Sequence, residues 1–147
     1  MELRRWLNRG YDIYKTLAVK KAHMDSLSNV ISNYSPRETT TDSIANSSET
    51  AFLRWSELKK ETDELCYKLR IIDHNTNEAI KKLSKEQLYT VLYLRYIRRM
   101  SWKEIPDIME YSKQSVFRIH SEAINELERL NEYKDWENER FEKVESK

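Results

Sequence analysis

Glycine, proline and cysteine are nearly missing from this chain of 147 residues. It has one glycine, Gly10, two prolines, Pro36 and Pro106, and one cysteine, Cys66. Tight turns and strand-rich folds draw heavily on glycine and proline, so few of either are expected. The same scarcity argues against enzymes that need a glycine-rich phosphate cradle or a strained turn carrying a nucleophile. A lone cysteine makes no internal disulfide, which suits a reducing compartment. No signal peptide, membrane-spanning run or lipidation motif is visible, so a cytoplasmic protein without membrane contact is expected. Charge of one sign is not in excess either: 26 Lys/Arg stand against 25 Asp/Glu, for a net charge of +1. The total therefore does not advertise nucleic acid, and only local clustering of charge can.

What is present is helical pattern. Charged residues are 35% of the chain and hydrophobic residues 39%, a balance that long helices with a narrow apolar stripe satisfy. Leu3, Trp6, Gly10, Ile13, Leu17, Lys20, Met24, Leu27 and Ile31 recur at steps of three and four, imperfectly at Gly10 and Lys20. They predict one long helix. Residues 32–48 are rich in Ser and Thr, contain Pro36 and lose the period, which reads as a flexible loop. A second, cleaner stripe follows: Trp55, Leu58, Thr62, Leu65, Leu69, Ile72, Thr76, Ala79 and Leu83. The two stripes are of similar length, and residues 1–83 are expected to form an antiparallel, coiled-coil-like helical hairpin. Such a hairpin alone buries little surface, so the arm is expected to make a homo-oligomer, a dimer or higher.

Residues 84–130 are the most informative. Ser84-Lys-Glu-Gln87 and Ser101-Trp-Lys-Glu104 have the spacing of capping boxes, and Ser112 offers a third N-cap. Leu88, Val91, Leu92 and Tyr96 follow the first, Ile105, Ile108 and Met109 the second, and Val116, Ile119, Ala123, Leu127 and Leu130 the third. Short helix, brief turn at 110–112 and longer helix is the layout of a helix-turn-helix, with Ser112 to Leu127 as recognition helix. A fold of class all-α follows, with the hairpin arm first and the helix-turn-helix domain second. The acidic tail 131–147, with Tyr133, Trp136, Phe141 and Val144, is expected to be helical or partly disordered.

A recognition helix packs one face on its neighbours and offers the other to base edges in the major groove. Lys113, Gln114, Phe117 and Arg118 lie off the apolar stripe in the first turns, the end that reaches bases in this motif. Gln pairs bidentately with adenine, Arg or Lys with guanine, and an aromatic ring touches the thymine methyl. The helix starts at Ser101 and Ser112 offer backbone N–H groups to phosphate. Arg98, Arg99, Trp102, Lys103, Ser115 and Ser121 complete the expected backbone contacts.

Residues 83–127 resemble the region-four domain of sigma factors. The resemblance rests on Leu94-Arg95-Tyr96, Ser101-Trp102, Glu104-Ile105, Tyr111-Ser112, Val116 and Ile119-His120. The segment is more similar still to phage-encoded regulators of the RinA and ArpU kind, in which such a helix-turn-helix follows a helical arm. That resemblance implies a transcriptional regulator, an activator of phage late packaging and morphogenesis genes. It implies binding to double-stranded DNA at a promoter region in the host bacterial cytoplasm, together with host RNA polymerase. Carried over position by position, it assigns Lys113, Gln114, Phe117 and Arg118 to base edges and Ser101, Trp102 and Lys103 to the backbone. The chain departs from the family at two places. Glu110 stands where glycine is usual and must accept a left-handed conformation or alter the turn. Pro106 stands where alanine is usual, so a kink or a late helix start is expected.

Other constellations are weak. His23, His74 and His120 lack partners at ligand spacing, so neither metal nor cofactor is expected. His120 reads as a helix residue near the DNA backbone or a packing residue. Cys66 reads as a small core residue and Asp63-Glu64 as a solvated face. No nucleophile–base pair is evident, so no catalytic residue is assigned. The alternative functions are a small terminase subunit and a sigma mimic that binds RNA polymerase without reading DNA.

Overall fold

A computed structural model of the chain describes residues 2–33 and 41–130, with side chains at 41–46 excepted. Among the described residues every regular element is helical. In chain order these are α1 (Glu2–Leu7), α2 (Tyr11–Ser32), α3 (Thr41–Ile80), α4 (Glu86–Leu92), a π-helical turn (Tyr93–Ile97), α5 (Ile105–Met109) and α6 (Lys113–Leu130). The expected tail 131–147 lies outside the described residues.

Two expectations about the long helices need correction. The single helix over Leu3–Ile31 is interrupted at residues 8–10. There the Arg9 amide bonds the Trp6 carbonyl, a tightened three-residue step, and Tyr11 restarts from Asn8. Glycine costs about 1 kcal/mol against alanine inside a helix, and the Arg9 side chain favours the break. Its guanidinium reaches the Trp6 carbonyl at 2.7 Å, Thr76 Oγ1 at 3.0 Å and the Ile72 carbonyl at 3.3 Å, and it lies 3.9 Å from the Trp6 ring. The loop over 32–48 is also shorter than expected, because α3 begins at Thr41. Ser and Thr cost only a few tenths of a kcal/mol each in a helix, and no Gly or Pro follows Pro36 in that stretch. Residues 34–40 of the expected loop lie outside the described residues.

The chain divides into two compact units, Met1–Tyr11 with Arg70–Lys147, and Asp12–Leu69. The first holds the main core: Leu3, Trp6 and Leu7 of α1, Ala79 and Ile80 of α3, Leu88, Val91 and Leu92 of α4, Tyr96, Ile105, and Val116, Ile119, Ala123, Ile124 and Leu127 of α6. All the apolar positions expected to face inward on α4, and all but Leu130 on α6, are in it. In the second unit Leu17, Ala51, Leu58 and Thr62 are buried. Lys20 pairs with Glu61 at 2.7 Å, and the Thr62 hydroxyl donates to Met24 Sδ at 3.7 Å. These contacts join α2 to the first part of α3.

Candidate functional site

The segment from Tyr93 to Ser121 is built by local devices that the residues themselves dictate. α4 passes into a π-helical turn, in which the Arg98 amide bonds the Tyr93 carbonyl at 2.9 Å. Arg99 then takes a left-handed conformation with φ 55°. That is unfavourable for a residue with a Cβ, but the side chain is anchored. Its guanidinium donates to both Asp73 carboxylate oxygens, at 2.8 and 3.3 Å, and to the Ile97 carbonyl at 2.7 Å. With its side chain 7% exposed, Arg99 is turned inward. The phosphate contact expected of it is therefore corrected: the adjacent cations at 98 and 99 look alike in sequence, and the half-buried carboxylate of Asp73 decides which one is used inside.

The expected capping boxes have different fates. At Ser101 the box closes reciprocally: the Ser101 amide donates to Glu104 Oε2 at 3.1 Å and the Glu104 amide to Ser101 Oγ at 3.2 Å. At Ser112, Oγ accepts from the Ser115 amide at 3.1 Å and donates to Ser115 Oγ at 2.9 Å. At Ser84 no box forms. Its amide and hydroxyl both donate to the Glu126 carboxylate of α6, at 2.7 and 3.0 Å, which holds that carboxyl below its usual range. α4 instead starts from Lys85, which has no side-chain cap.

Both departures at the turn are visible. Pro106 occupies the second position of α5, and the helix starts late, at Ile105. A missing N–H is harmless there, because first-turn donors have no helical partner. Glu110 ends α5 in the left-handed region, with φ 60° and ψ 37°, and the Tyr111 amide returns to the Pro106 carbonyl at 3.2 Å. Ile108, expected to pack, is instead exposed.

Beyond this turn, α6 is strongly two-sided. Val116, Ile119, His120, Ala123, Ile124 and Leu127 are buried. Lys113, Gln114, Phe117, Arg118 and Ser121 are exposed, as are Arg98, Ser101, Lys103 and Ser112, while Trp102 and Ser115 are half-buried. All four residues expected to read bases thus lie on one open stretch of two turns.

Sequence spacing did not point to the aromatic stack beside that stretch. The Arg95 guanidinium lies 4.7 Å from the Trp102 ring. Trp102 in turn meets Phe117 at 5.0 Å and, nearly at right angles, His120 at 4.8 Å between ring centres. Phe117 and His120 are three residues apart on a helix, so they share a flank, which is the one signal the sequence carries for it. His120 Nε2 and the Tyr96 hydroxyl are 2.8 Å apart. Burial, with the cations Arg4 and Arg95 adding to it, pushes the His120 pKa down to about 4, so the ring is neutral near pH 7. Burial raises the Tyr96 phenol above its ordinary value. Of the two roles expected for His120, it takes that of a satisfied packing residue.

Among the described residues no group of three or more His, Cys, Asp or Glu is placed to hold a metal ion, and no helix is long and apolar enough to cross a membrane. No curated protein and no solved structure matches the chain. Residues 73–128 match the model of a family described only as a protein of unknown function, DUF1492. The match runs from Asp73, the partner of Arg99, almost to the end of α6, and so includes every residue of the stretch just described.

Proposed function

We propose that the chain is a sequence-specific regulator that binds double-stranded DNA, with α5, the Glu110 turn and α6 acting as a helix-turn-helix. One observation carries this reading. α6 is anchored by its inner face after a short helix and a left-handed turn, and its first two turns leave Lys113, Gln114, Phe117 and Arg118 outward. Those side chains supply guanine-directed cations, an adenine-directed amide and an apolar ring. Arg98, Lys103, Ser101 and Ser112 serve phosphates, with Ser121 further along α6. Exposed Asp107 and Glu110 repel phosphate, which favours entry of the groove by α6 rather than by the outer face of α5. The helices of residues 1–83 act as a hairpin arm that joins copies of the chain. The likeness of residues 83–127 to RinA- and ArpU-type regulators supports a role in activating phage late genes with host RNA polymerase.

Gel-shift and footprinting assays on phage promoter DNA test this, using the full chain and the variants Arg118→Ala and Lys113→Ala. Selective binding is expected, with each variant losing roughly 1–3 kcal/mol. Unchanged binding in both variants, or polymerase binding with none to DNA, would overturn the reading. Light scattering checks the arm, and a strict monomer at high concentration removes the oligomer from the proposal.

A further inference from the structure

Phe117 differs from Lys113, Gln114, Arg118 and Ser121, the outward residues around it on α6, in having no polar side-chain atom. The residue is 41% exposed and sits at the edge of the open stretch, next to buried Val116 and His120. It is not a free rotor. One side meets Trp102 at 5.0 Å, Trp102 is covered by the Arg95 guanidinium at 4.7 Å, and Lys113 Nζ lies 5.9 Å from the Phe117 ring centre. A side chain already held in place gives up little rotamer freedom on binding. The exposed part of the ring has no hydrogen-bonding group, so it cannot distinguish the donors and acceptors of base edges. In the major groove the one apolar group it can complement is the C5-methyl of thymine.

Resting on the DNA-binding reading above, we infer that Phe117, held by the Arg95–Trp102 stack, is the residue that selects a thymine in the target by packing on its C5-methyl. Trp102 is a positioning residue for it. Lys113 and Gln114 lie about one helical turn before Phe117 and Arg118 directly follows it, so the selected thymine lies within the base pairs they read.

The target is first obtained by selection of duplexes from a random pool with the full chain. Each thymine of the selected site is then replaced in turn by uracil, which removes the methyl and leaves the base-pairing edge intact. One replacement is expected to weaken the wild-type chain roughly fourfold, the worth of one buried methylene-sized group. Phe117→Ala is expected to bind the thymine duplex more weakly and to be indifferent to that replacement, and Trp102→Ala to show a reduced discrimination. Because the uracil duplexes are tested on the wild-type chain, the result does not depend on any variant folding. Wild-type binding that is insensitive to uracil at every position overturns the inference and leaves the DNA-binding reading intact. An equal loss in wild type and Phe117→Ala also overturns it. Failure to select any duplex overturns both.

Discussion

The two compact units are built from similar helices yet differ in how much they bury. In the unit of 2–11 and 70–130, residues from α1, α3, α4, α5 and α6 converge on one apolar core, and several side chains are wholly inaccessible. In the unit of Asp12–Leu69 two helices face each other, and most of the stripe, including Ile13, Met24, Leu27, Trp55, Leu65 and Leu69, is only half-buried. Two helices offer each other one side; five elements enclose a volume. The same three-and-four spacing therefore yields a dry core in one unit and a half-wet seam in the other.

Core truncation should give the largest loss in the first unit. Leu88→Ala, at a position with 0% exposure, is expected to cost about 3 kcal/mol in urea unfolding, whereas half-buried Leu27→Ala should cost about 1 kcal/mol or less. Equal losses would mean that the seam is as closed as the core.

Acid sharpens the contrast by charging a buried residue of the core. The folded His120 pKa of about 4 lies below its ordinary value of 6.5. Between these values the unfolded chain binds more protons than the folded one, so stability is full near pH 7 and falls as the pH drops from 6.5 towards 4. Roughly 2–3 kcal/mol should be lost from the first unit. Urea midpoints at pH 7, 5.5 and 4.5 read this, and His120→Phe should flatten the slope.

Ion pairs give the smallest loss. Asp73→Ala takes the carboxylate from the inward Arg99 and should cost on the order of 2 kcal/mol. In the other unit, Lys20 and Glu61 meet where both remain partly open to water, and Glu61→Gln should leave the urea midpoint nearly unchanged. A large effect of Glu61→Gln would show that the seam excludes water at that point.

Much of the first unit was legible because its signals are local. The Ser101 and Ser112 caps, the buried positions of α4 and nearly all of those expected on α6, and the outward placement of Lys113, Gln114, Phe117 and Arg118 follow from spacings of three and four residues. The readings that failed depended on distant partners. Ser84 has a capping-box spacing to Gln87 yet bonds Glu126, 42 residues away. Arg99 looks like Arg98 until Asp73 draws it inward. The break at residues 8–10 is held by Arg9 against Ile72 and Thr76, and nothing near Arg9 in sequence announces them.

By itself, then, the sequence determined the helical class, the two-sidedness of α6 and the side chains it turns outward, because a helix repeats within a few residues and glycine and proline are too scarce to interrupt it often. Tertiary structure alone decided which cation faces solvent, which serine caps, and how Arg95, Trp102, Phe117 and His120 stack. Those outcomes turn on which carboxylate, carbonyl or ring lies within hydrogen-bonding or van der Waals reach, and only the folded chain brings such groups together.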